Sequence, residues 1–171
     1  LESQAERFEI AGAGARRGVI LHKLMEELLT GELADELSAS VARADYLLDQ
    51  LTPGTEDDRA RPDPNEMGAA AIRTLALPEI AELRPHLRPE IPVWGTDGDV
   101  LVAGRADALA ISDQGVDAAI DWKSDVNPTL AVRKAHAQQL RDYLSATHAN
   151  RGAVVYLTSG EIVWVGNDDD D

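Results

Sequence analysis

Apolar residues recur at helical spacing through the first half of the chain. Over residues 16–30 the recurring residues are Leu21, Met25, Leu28 and Leu29. This repeat predicts a helix that ends before Gly31, because glycine often stops a helix. Similar spacing predicts helices over residues 33–51, 66–77 and 79–83, with a polar, proline-bearing loop after residue 51. The predicted buried stripe of the second helix is Leu33, Leu37, Val41, Leu47, Leu48 and Leu51.

From Pro89 onward the pattern changes to short apolar runs separated by turn residues. These runs predict five strands, over residues 90–95, 99–111, 115–122, 152–158 and 161–166. A helix is predicted between the third and fourth strands, with its sheet-facing stripe at Ala137, Leu140 and Leu144. A strand–helix–strand crossover favours parallel pairing, whereas the tight turns elsewhere favour antiparallel pairs. We therefore expect an α/β fold with a mixed sheet of about five strands, flanked by helices.

The length of 171 residues suits one domain with a sizeable core. We expect this domain to span residues 16–167, after a polar lead-in over residues 1–15 that belongs to a longer chain and before an acidic tail over residues 168–171. No stretch approaches the ~20 apolar residues of a membrane span, and the first residues lack the basic-then-apolar order of a signal peptide. We expect a cytoplasmic protein with no membrane partner.

Composition narrows the possible chemistry. The chain has no cysteine, which excludes disulfides, zinc–thiolate sites and iron–sulfur clusters. Its net charge is −15, which argues against a stand-alone nucleic-acid binder because phosphate contacts depend on Lys and Arg. The acidic balance is compatible with a catalytic module to which another domain delivers the substrate. The alternative, a solvated acidic surface that aids solubility, explains most of these charges.

Three charged residues stand where the predicted strands are otherwise apolar. Asp107 lies within the second strand, and Asp121 and Lys123 close the third. Period-two alternation puts Asp107 on a face with Arg105 and Leu109, opposite the face of Val102, Gly104, Ala106, Ala108 and Ala110. If the strands are neighbours, the three charges converge, and two Asp oxygens with waters and a substrate phosphate would describe a Mg²⁺ site. The alternative is a surface hairpin in which the carboxylates cap turns and Lys123 forms an ion pair.

Two helices carry further polar candidates. His22 lies on the first helix, with Glu26 one turn later. On the last helix, His136, Gln139 and Tyr143 share one face. Taken alone, His22 fits a hydrogen-bonded histidine at the edge of a core, and Gln139 and Tyr143 fit the polar flank of an amphipathic helix.

Taken in order, these pieces resemble the RecB-like nuclease domain of the PD-(D/E)xK superfamily. The resemblance is closest to the C-terminal nuclease domain of AddA-type (UvrD/RecB-family) ATP-dependent helicase–nucleases. That family has an RGxxxH helix, a Glu near a strand start, GxxD, D-x-K and a helical QxxxY. In this chain the matching segments are RGVILHKLME (Arg17–Glu26), EIPV (from Glu90), GRAD (Gly104–Asp107), DWK (Asp121–Lys123) and QLRDY (Gln139–Tyr143).

The resemblance implies a restriction-endonuclease-like fold and a role for each matched residue. It implies a Mg²⁺ or Mn²⁺ ion bound by His22, Asp107, Asp121 and the backbone carbonyl of Trp122. It implies that the catalytic residues are Asp107, Asp121 and Lys123. It also implies supporting or substrate-binding roles for Gln139, Tyr143, Glu90 and Glu26.

The function implied is that of a magnesium-dependent deoxyribonuclease, similar to exonuclease V, that acts in double-strand-break repair and recombination. Its partners would be DNA, an upstream helicase domain of the same chain and a second, AddB-like subunit. The chain has no Walker-type phosphate loop, so ATP would act only through that upstream motor. Such a protein would associate with the bacterial nucleoid when acting on DNA. The alternative is a catalytically inactive nuclease-fold module with a structural or DNA-guiding role.

Overall fold

The computed structural model describes residues 14–51, 61–97 and 100–166. The first half of the chain is helical, as predicted, and comprises α1 (Ala15–Thr30), α2 (Leu37–Leu51), α3 (Pro64–Leu75), α4 (Pro78–Leu83) and a 3-10 turn (Arg84–His86). Helix α3 begins after Asp63, whose carboxylate accepts a hydrogen bond from the N–H of Asn65. The predicted acidic tail and nearly all of the lead-in lie outside the described residues.

The second half forms a five-stranded sheet with one crossover helix. Its elements are β1 (Leu87–Asp97), β2 (Val100–Ser112), β3 (Gly115–Lys123), α5 (Leu130–Thr147), β4 (Arg151–Tyr156) and β5 (Glu161–Gly166). The strands lie side by side in chain order; β3 and β4 are parallel, and the other neighbouring pairs are antiparallel. The predicted α/β fold with a mixed sheet is confirmed. No helix within the described ranges is both long and apolar enough to cross a bilayer.

The sheet separates two apolar cores. Helices α1 to α4 cover one face and form the larger core, which includes Ile20, Leu24, Met67, Ile120 and Trp122. Helix α5 covers the other face, where Leu140 and Leu144 are buried and Ala137 packs beside them, as predicted. Burying these side chains stabilises the fold by roughly 1.5–3 kcal/mol for each large aliphatic group.

The predicted buried stripe of the second helix is wrong at two positions, although its first member, Leu33, which precedes α2, is partly buried against the larger core. Leu37 is 52% exposed and Leu51 is 46% exposed. The side chains that α2 buries are Ser40, Ala44 and Leu48. Helices α2 and α3 approach closely, since a Cβ atom on Gly68 would lie 2.8 Å from the backbone nitrogen of Val41. This close approach favours small residues along the contact, so the buried stripe does not follow the leucines.

Near Asp107 the regular alternation of β2 breaks, so that residues two apart along the strand point into different cores. Ala108 and Ala110 pack in the core of α1 to α4, whereas Ala106 packs in the core of α5. The predicted alternation, with these alanines on one face, is therefore wrong. The pairing of β1 with β2 skips the position at which Glu90 would face Asp107, and Glu90 has a φ of 56°, which is uncommon for a residue other than glycine.

Strands β2 and β3 separate at the same place. Their ladder runs from Ser112 opposite Gly115 to Ala108 opposite Ile120. Beyond that pair, β2 stays hydrogen-bonded to β1, and β3 stays hydrogen-bonded to β4. We call this point the fork. Past the fork, backbone groups of β3 no longer pair with β2. The candidate site lies at this point.

Candidate active site

Asp107 lies at the fork and bridges the two separating strands. Its Oδ2 atom accepts a hydrogen bond from the backbone N–H of Trp122 at 2.7 Å. The carboxylate therefore replaces the strand partner that this N–H would otherwise have, which satisfies the need of a buried donor for an acceptor. The indole of Trp122 points into the larger core and is only 2% exposed.

Helix α1 brings His22 to the same carboxylate. The Nδ1 atom of His22 lies 2.9 Å from the carbonyl oxygen of Gly18, one helical turn earlier, and Nε2 lies 3.2 Å from Asp107 Oδ2. Because a carbonyl oxygen only accepts, Nδ1 carries a hydrogen and Nε2 faces the carboxylate. Burial alone lowers the pKa of His22, but the hydrogen bond and charge of Asp107, helped by Gly18 and Asp121, outweigh it and raise the pKa to about 9.

Asp121 and Lys123 project from the same face of β3, two residues apart. Lys123 Nζ lies 3.0 Å from Asp121 Oδ2 and donates a hydrogen bond to Gln139 Oε1 at 3.2 Å. Although it is close, the ammonium group is poorly aligned with Asp121 Oδ2, which is buried and has no hydrogen-bond partner among the described residues. The lysine is thus held between a carboxylate on β3 and an amide on α5.

The two carboxyl groups lie within hydrogen-bonding reach of each other, and their environments separate their affinities for a proton. Burial raises the pKa of Asp121 to about 6; the charge of Lys123 opposes this rise and that of Asp107 adds to it. Burial also tends to raise the pKa of Asp107, but His22 and the Trp122 N–H outweigh that tendency and hold its pKa below the usual range. The two buried carboxyl groups thus lie together, each beside one cationic side chain, His22 next to Asp107 and Lys123 next to Asp121.

The donor set fits a hard divalent cation. Two neighbouring carboxylates supply the oxygen ligands that Mg²⁺ prefers, and the buried Asp121 Oδ2 accepts no well-aligned hydrogen bond. In the part of the chain that the structure describes, no three His, Asp or Glu side chains are already arranged around one metal position. His22 and Lys123 instead provide the positive charge beside the two carboxylates.

Tyr143 also lies near the fork, against the backbone of β2. A Cβ atom on Gly104 would lie 2.8 Å from the hydroxyl oxygen of Tyr143. The glycine of the GRAD segment therefore leaves room for the tyrosine of the QLRDY segment. Helix α5 approaches β4 in a similar way, because a Cβ atom on Gly152 would lie 2.8 Å from the side chain of Leu140.

Glu26 and Glu90 lie beside the site rather than at its centre. Both line a cleft of about 640 Å³ beside α1, together with His22 and residues near the end of α2. Glu26 pairs with Lys23 at 3.0 Å, and Glu90 lies 3.3 Å from Arg105. The two glutamates therefore pair with neighbouring cations and not with the Asp107–Asp121 pair. Both line the cleft, where a substrate can reach them.

Arg17 anchors α1 next to the site, a role that the sequence did not predict. Its guanidinium donates to both carboxylate oxygens of Glu66 at 3.0 and 2.6 Å, to the carbonyl of Ser124 at 2.6 Å and to the hydroxyl of Thr158 at 2.7 Å. Arg17 as a whole is only 3% exposed. It fixes α1, and with it His22, against α3, the end of β3 and the turn after β4. No local spacing could have identified Glu66 as its partner.

A comparison with protein families decides which group this site belongs to. The model of the PD-(D/E)XK nuclease superfamily matches residues 3–168 of the chain. The chain belongs to this superfamily.

Membership of the PD-(D/E)XK superfamily confirms the expected restriction-endonuclease-like fold, and it supports nuclease activity and the use of a divalent metal. Curated proteins give no significant match. A solved structure described as "Crystal structure of SSO0001" is 21% identical, with a TM-score of 0.40, over 86% of this chain and 74% of that chain.

Proposed function

We propose that the protein is a metal-dependent deoxyribonuclease that hydrolyses phosphodiester bonds at the fork. The observation that carries the proposal is the chain of contacts from His22 through Asp107 and Asp121 to Lys123. These side chains come from α1, β2 and β3, far apart in sequence, and the fold brings them to one place. In a surface hairpin whose carboxylates only cap turns, a histidine of α1 would not lie against Asp107.

Mg²⁺ or Mn²⁺ would be held by Asp107 and Asp121, with the backbone carbonyl of Trp122 as a further oxygen donor. His22 could join this set only after losing the Nε2 proton that its contact with Asp107 favours. When bound, the cation would supply Lewis-acid polarisation of the scissile phosphate.

Besides the metal ion, Lys123 is proposed as the positively charged side chain that contacts the reacting phosphate. Its ammonium group can donate to a phosphate oxygen and stabilise the negative charge that develops during hydrolysis. Gln139 accepts one of its N–H bonds, which fixes the direction of the remaining donors. Tyr143 and the two glutamates of the cleft, Glu26 and Glu90, are proposed to contact the substrate strand or to support this centre.

The order of the matched segments favours a RecB-like domain of an AddA-type helicase–nuclease. In that setting an upstream motor of the same chain would use ATP and grip the DNA, and an AddB-like subunit would complete the complex. The net charge of −15 agrees with a module that depends on other domains for most phosphate contacts. Such an enzyme would process DNA ends in double-strand-break repair and recombination, in the cytoplasm at the nucleoid.

The test is cleavage of linear single- and double-stranded DNA in Mg²⁺, with EDTA as the metal-free arm. Asp121→Asn and Lys123→Ala should each lower the cleavage rate by a factor of at least about 10². Asp117→Asn is the matched control, because Asp117 lies on the same strand but pairs with Arg151 at the surface. Its rate should equal that of the wild-type protein.

Two results would reject the proposal. One is cleavage that persists unchanged in Lys123→Ala, which would show that the chemistry lies elsewhere. The other is the absence of any Mg²⁺-dependent cleavage by the wild-type protein, both alone and within its full-length parent, which would favour an inactive nuclease-fold module.

A further inference from the structure

Beyond the fork, β1 and β2 continue as a two-stranded ribbon that is covered on one face. Val93 is 7% exposed and packs in the core of α5. A Cβ atom on Gly95 would lie 3.0 Å from the Cβ of Ala146 on α5. Since side chains alternate along a strand, Pro92 and Trp94 lie on the face turned away from α5.

The neighbouring strand shows the same division of faces. Gly104 lies against Tyr143 of α5, so Ala103 and Arg105 lie on the opposite face. The register places Trp94 opposite Ala103 and Pro92 opposite Arg105. Trp94 and Arg105 are therefore diagonal neighbours on the outer face, within reach of one another, and the small Ala103 leaves the indole uncovered.

Both side chains are exposed to an unusual degree. Trp94 is 64% exposed, whereas Trp122 is 2% exposed, and the side chain of Arg105 is 63% exposed. An exposed indole beside a guanidinium group can stack on a nucleobase and contact a phosphate at the same time. Arg105 keeps most of its side chain in solvent although its guanidinium lies 3.3 Å from Glu90.

The outer face of the ribbon runs directly into the candidate site. Arg105 Nη1 lies 3.3 Å from Glu90 Oε2, and Glu90 lines the cleft that also contains His22. Along β2, Asp107 lies two residues beyond Arg105, a distance of roughly 7 Å. A strand whose phosphate lay at the fork would therefore extend across Arg105 toward Trp94.

We propose that Trp94 and Arg105 form a platform for an unpaired nucleotide of the substrate strand next to the phosphate that is cut. This inference rests on the proposed nuclease function and makes it more specific: the substrate is single-stranded DNA, or a duplex end that has opened. A base stacked on Trp94 must first be free of its partner, because a paired base does not expose its face.

Other features of the ribbon disfavour a protein partner. Strand β1 is an edge of the sheet, and Pro89 and Pro92 carry no backbone N–H, which makes the strand a poorer template for strand addition. Arg105 gives the ring a charged neighbour on the outer face, which suits a phosphate-bearing ligand better than an apolar protein surface. Docking of a protein or of a second copy of the chain is instead an outcome that the test can reveal.

The experiment measures binding of labelled oligothymidylate and of a blunt duplex by fluorescence anisotropy, in EDTA so that nothing is cut. Trp94→Ala should weaken oligothymidylate binding by about tenfold to a hundredfold, whereas Trp94→Phe, which keeps a ring, should retain most of the affinity. Affinity for the blunt duplex should not change. Tyr46→Ala is the matched control, because Tyr46 is also an exposed aromatic residue, at 54%, but lies on α2.

A second variant tests the cation. Arg105→Ala should weaken binding at low salt and reduce the slope of log affinity against log salt by about 0.7, as expected when one contact with single-stranded phosphate is lost. The fold should be unaffected, since the side chain of Arg105 is mostly in solvent.

Equal oligothymidylate affinities for Trp94→Ala and the wild-type protein would overturn the platform. So would a change of oligomeric state in Trp94→Ala with DNA binding intact, because the indole would then be a protein contact. If the wild-type protein cleaves DNA and Trp94→Ala cleaves and binds single strands equally well, only the platform fails. If the wild-type protein neither binds nor cleaves any DNA, the proposed function fails together with it.

Discussion

At the scale of single residues, Asp107 Oδ2 joins more of the site than any other described atom. It lies 2.7 Å from the Trp122 nitrogen and 3.2 Å from His22 Nε2, so one oxygen links α1, β2 and β3. Substituting Asp107 would disturb the fork as well as the charge. Asp121 is the cleaner position for a test of chemistry, because its contacts are with Lys123 and Asp107 of the site itself and not with a backbone N–H of the fork.

Gln139 provides a test of how Lys123 is positioned. Gln139→Ala removes the acceptor 3.2 Å from Lys123 Nζ and leaves the ammonium group free to rotate. We predict that kcat for DNA cleavage falls about tenfold while KM stays within about twofold, because the lost interaction orients a group that acts in the transition state. Steady-state kinetics with a fluorescent oligonucleotide measures both.

The adjacent glutamine is a matched control for that substitution. Gln138 is exposed and donates to Asp142 on its own helix, away from Lys123. Gln138→Ala should leave both kcat and KM unchanged. Equal effects at the two positions, or a rise of KM alone in Gln139→Ala, would contradict a positioning role.

The residues of the site could be predicted from the sequence where local pattern determines their placement. Asp121 and Lys123 share a face because strand side chains alternate, and Gly18 lies beside His22 because four residues make one helical turn. The partners of Arg17 could not be predicted in this way, since Glu66 and Thr158 are brought to it only by the complete fold.

At the scale of elements, α1 and α2 are joined by an ion pair that should make stability depend on pH. Arg43 donates to both carboxylate oxygens of Glu27, at 2.8 and 2.6 Å, and this hydrogen bonding lowers the pKa of Glu27. Glu27 is 5% exposed. Because its folded pKa lies below the ~4.3 of an unfolded chain, the pair stabilises the protein fully above that pH and loses its effect as the pH falls through the folded value.

We predict that Glu27→Gln lowers the free energy of unfolding at pH 7 by about 1–3 kcal/mol. The difference from the wild-type protein should shrink as the pH falls from about 5 to about 3. Urea unfolding at several pH values measures it. Asp35→Asn, at an exposed pair with Arg84, is the control and should change stability by less than about 0.5 kcal/mol. A difference for Glu27→Gln that is constant with pH would contradict the account.

The elements themselves were predicted from periodicity, apart from two features. The strands and α5 were found because burial imposes regular patterns on them. The exposed leucines of α2 were missed because close packing against Gly68 selects small residues. The reversal of faces at Asp107 could not be predicted from alternation, because it coincides with the skipped pair opposite Glu90, whose φ of 56° leaves no mark in the hydrophobic pattern.

At the scale of the whole molecule, the topology explains why one site can draw on distant segments. The crossover through α5 makes β3 parallel to β4, and the middle of α5 lies beside the end of β3, where Gln139 meets Lys123. The helical half of the chain then closes the other face and brings His22 to the fork. The order of elements was predictable, but the separation of β2 from β3, which creates the site, was visible only in the fold.

The most direct measurement is an anomalous difference map from a crystal of the protein soaked in Mn²⁺. We predict a peak at the fork, within about 2.5 Å of carboxylate oxygens of both Asp107 and Asp121. The peak should vanish in Asp121→Asn and persist in Asp117→Asn. A strong peak at other carboxylates, or no peak at the fork in millimolar Mn²⁺, would contradict the assignment of this centre.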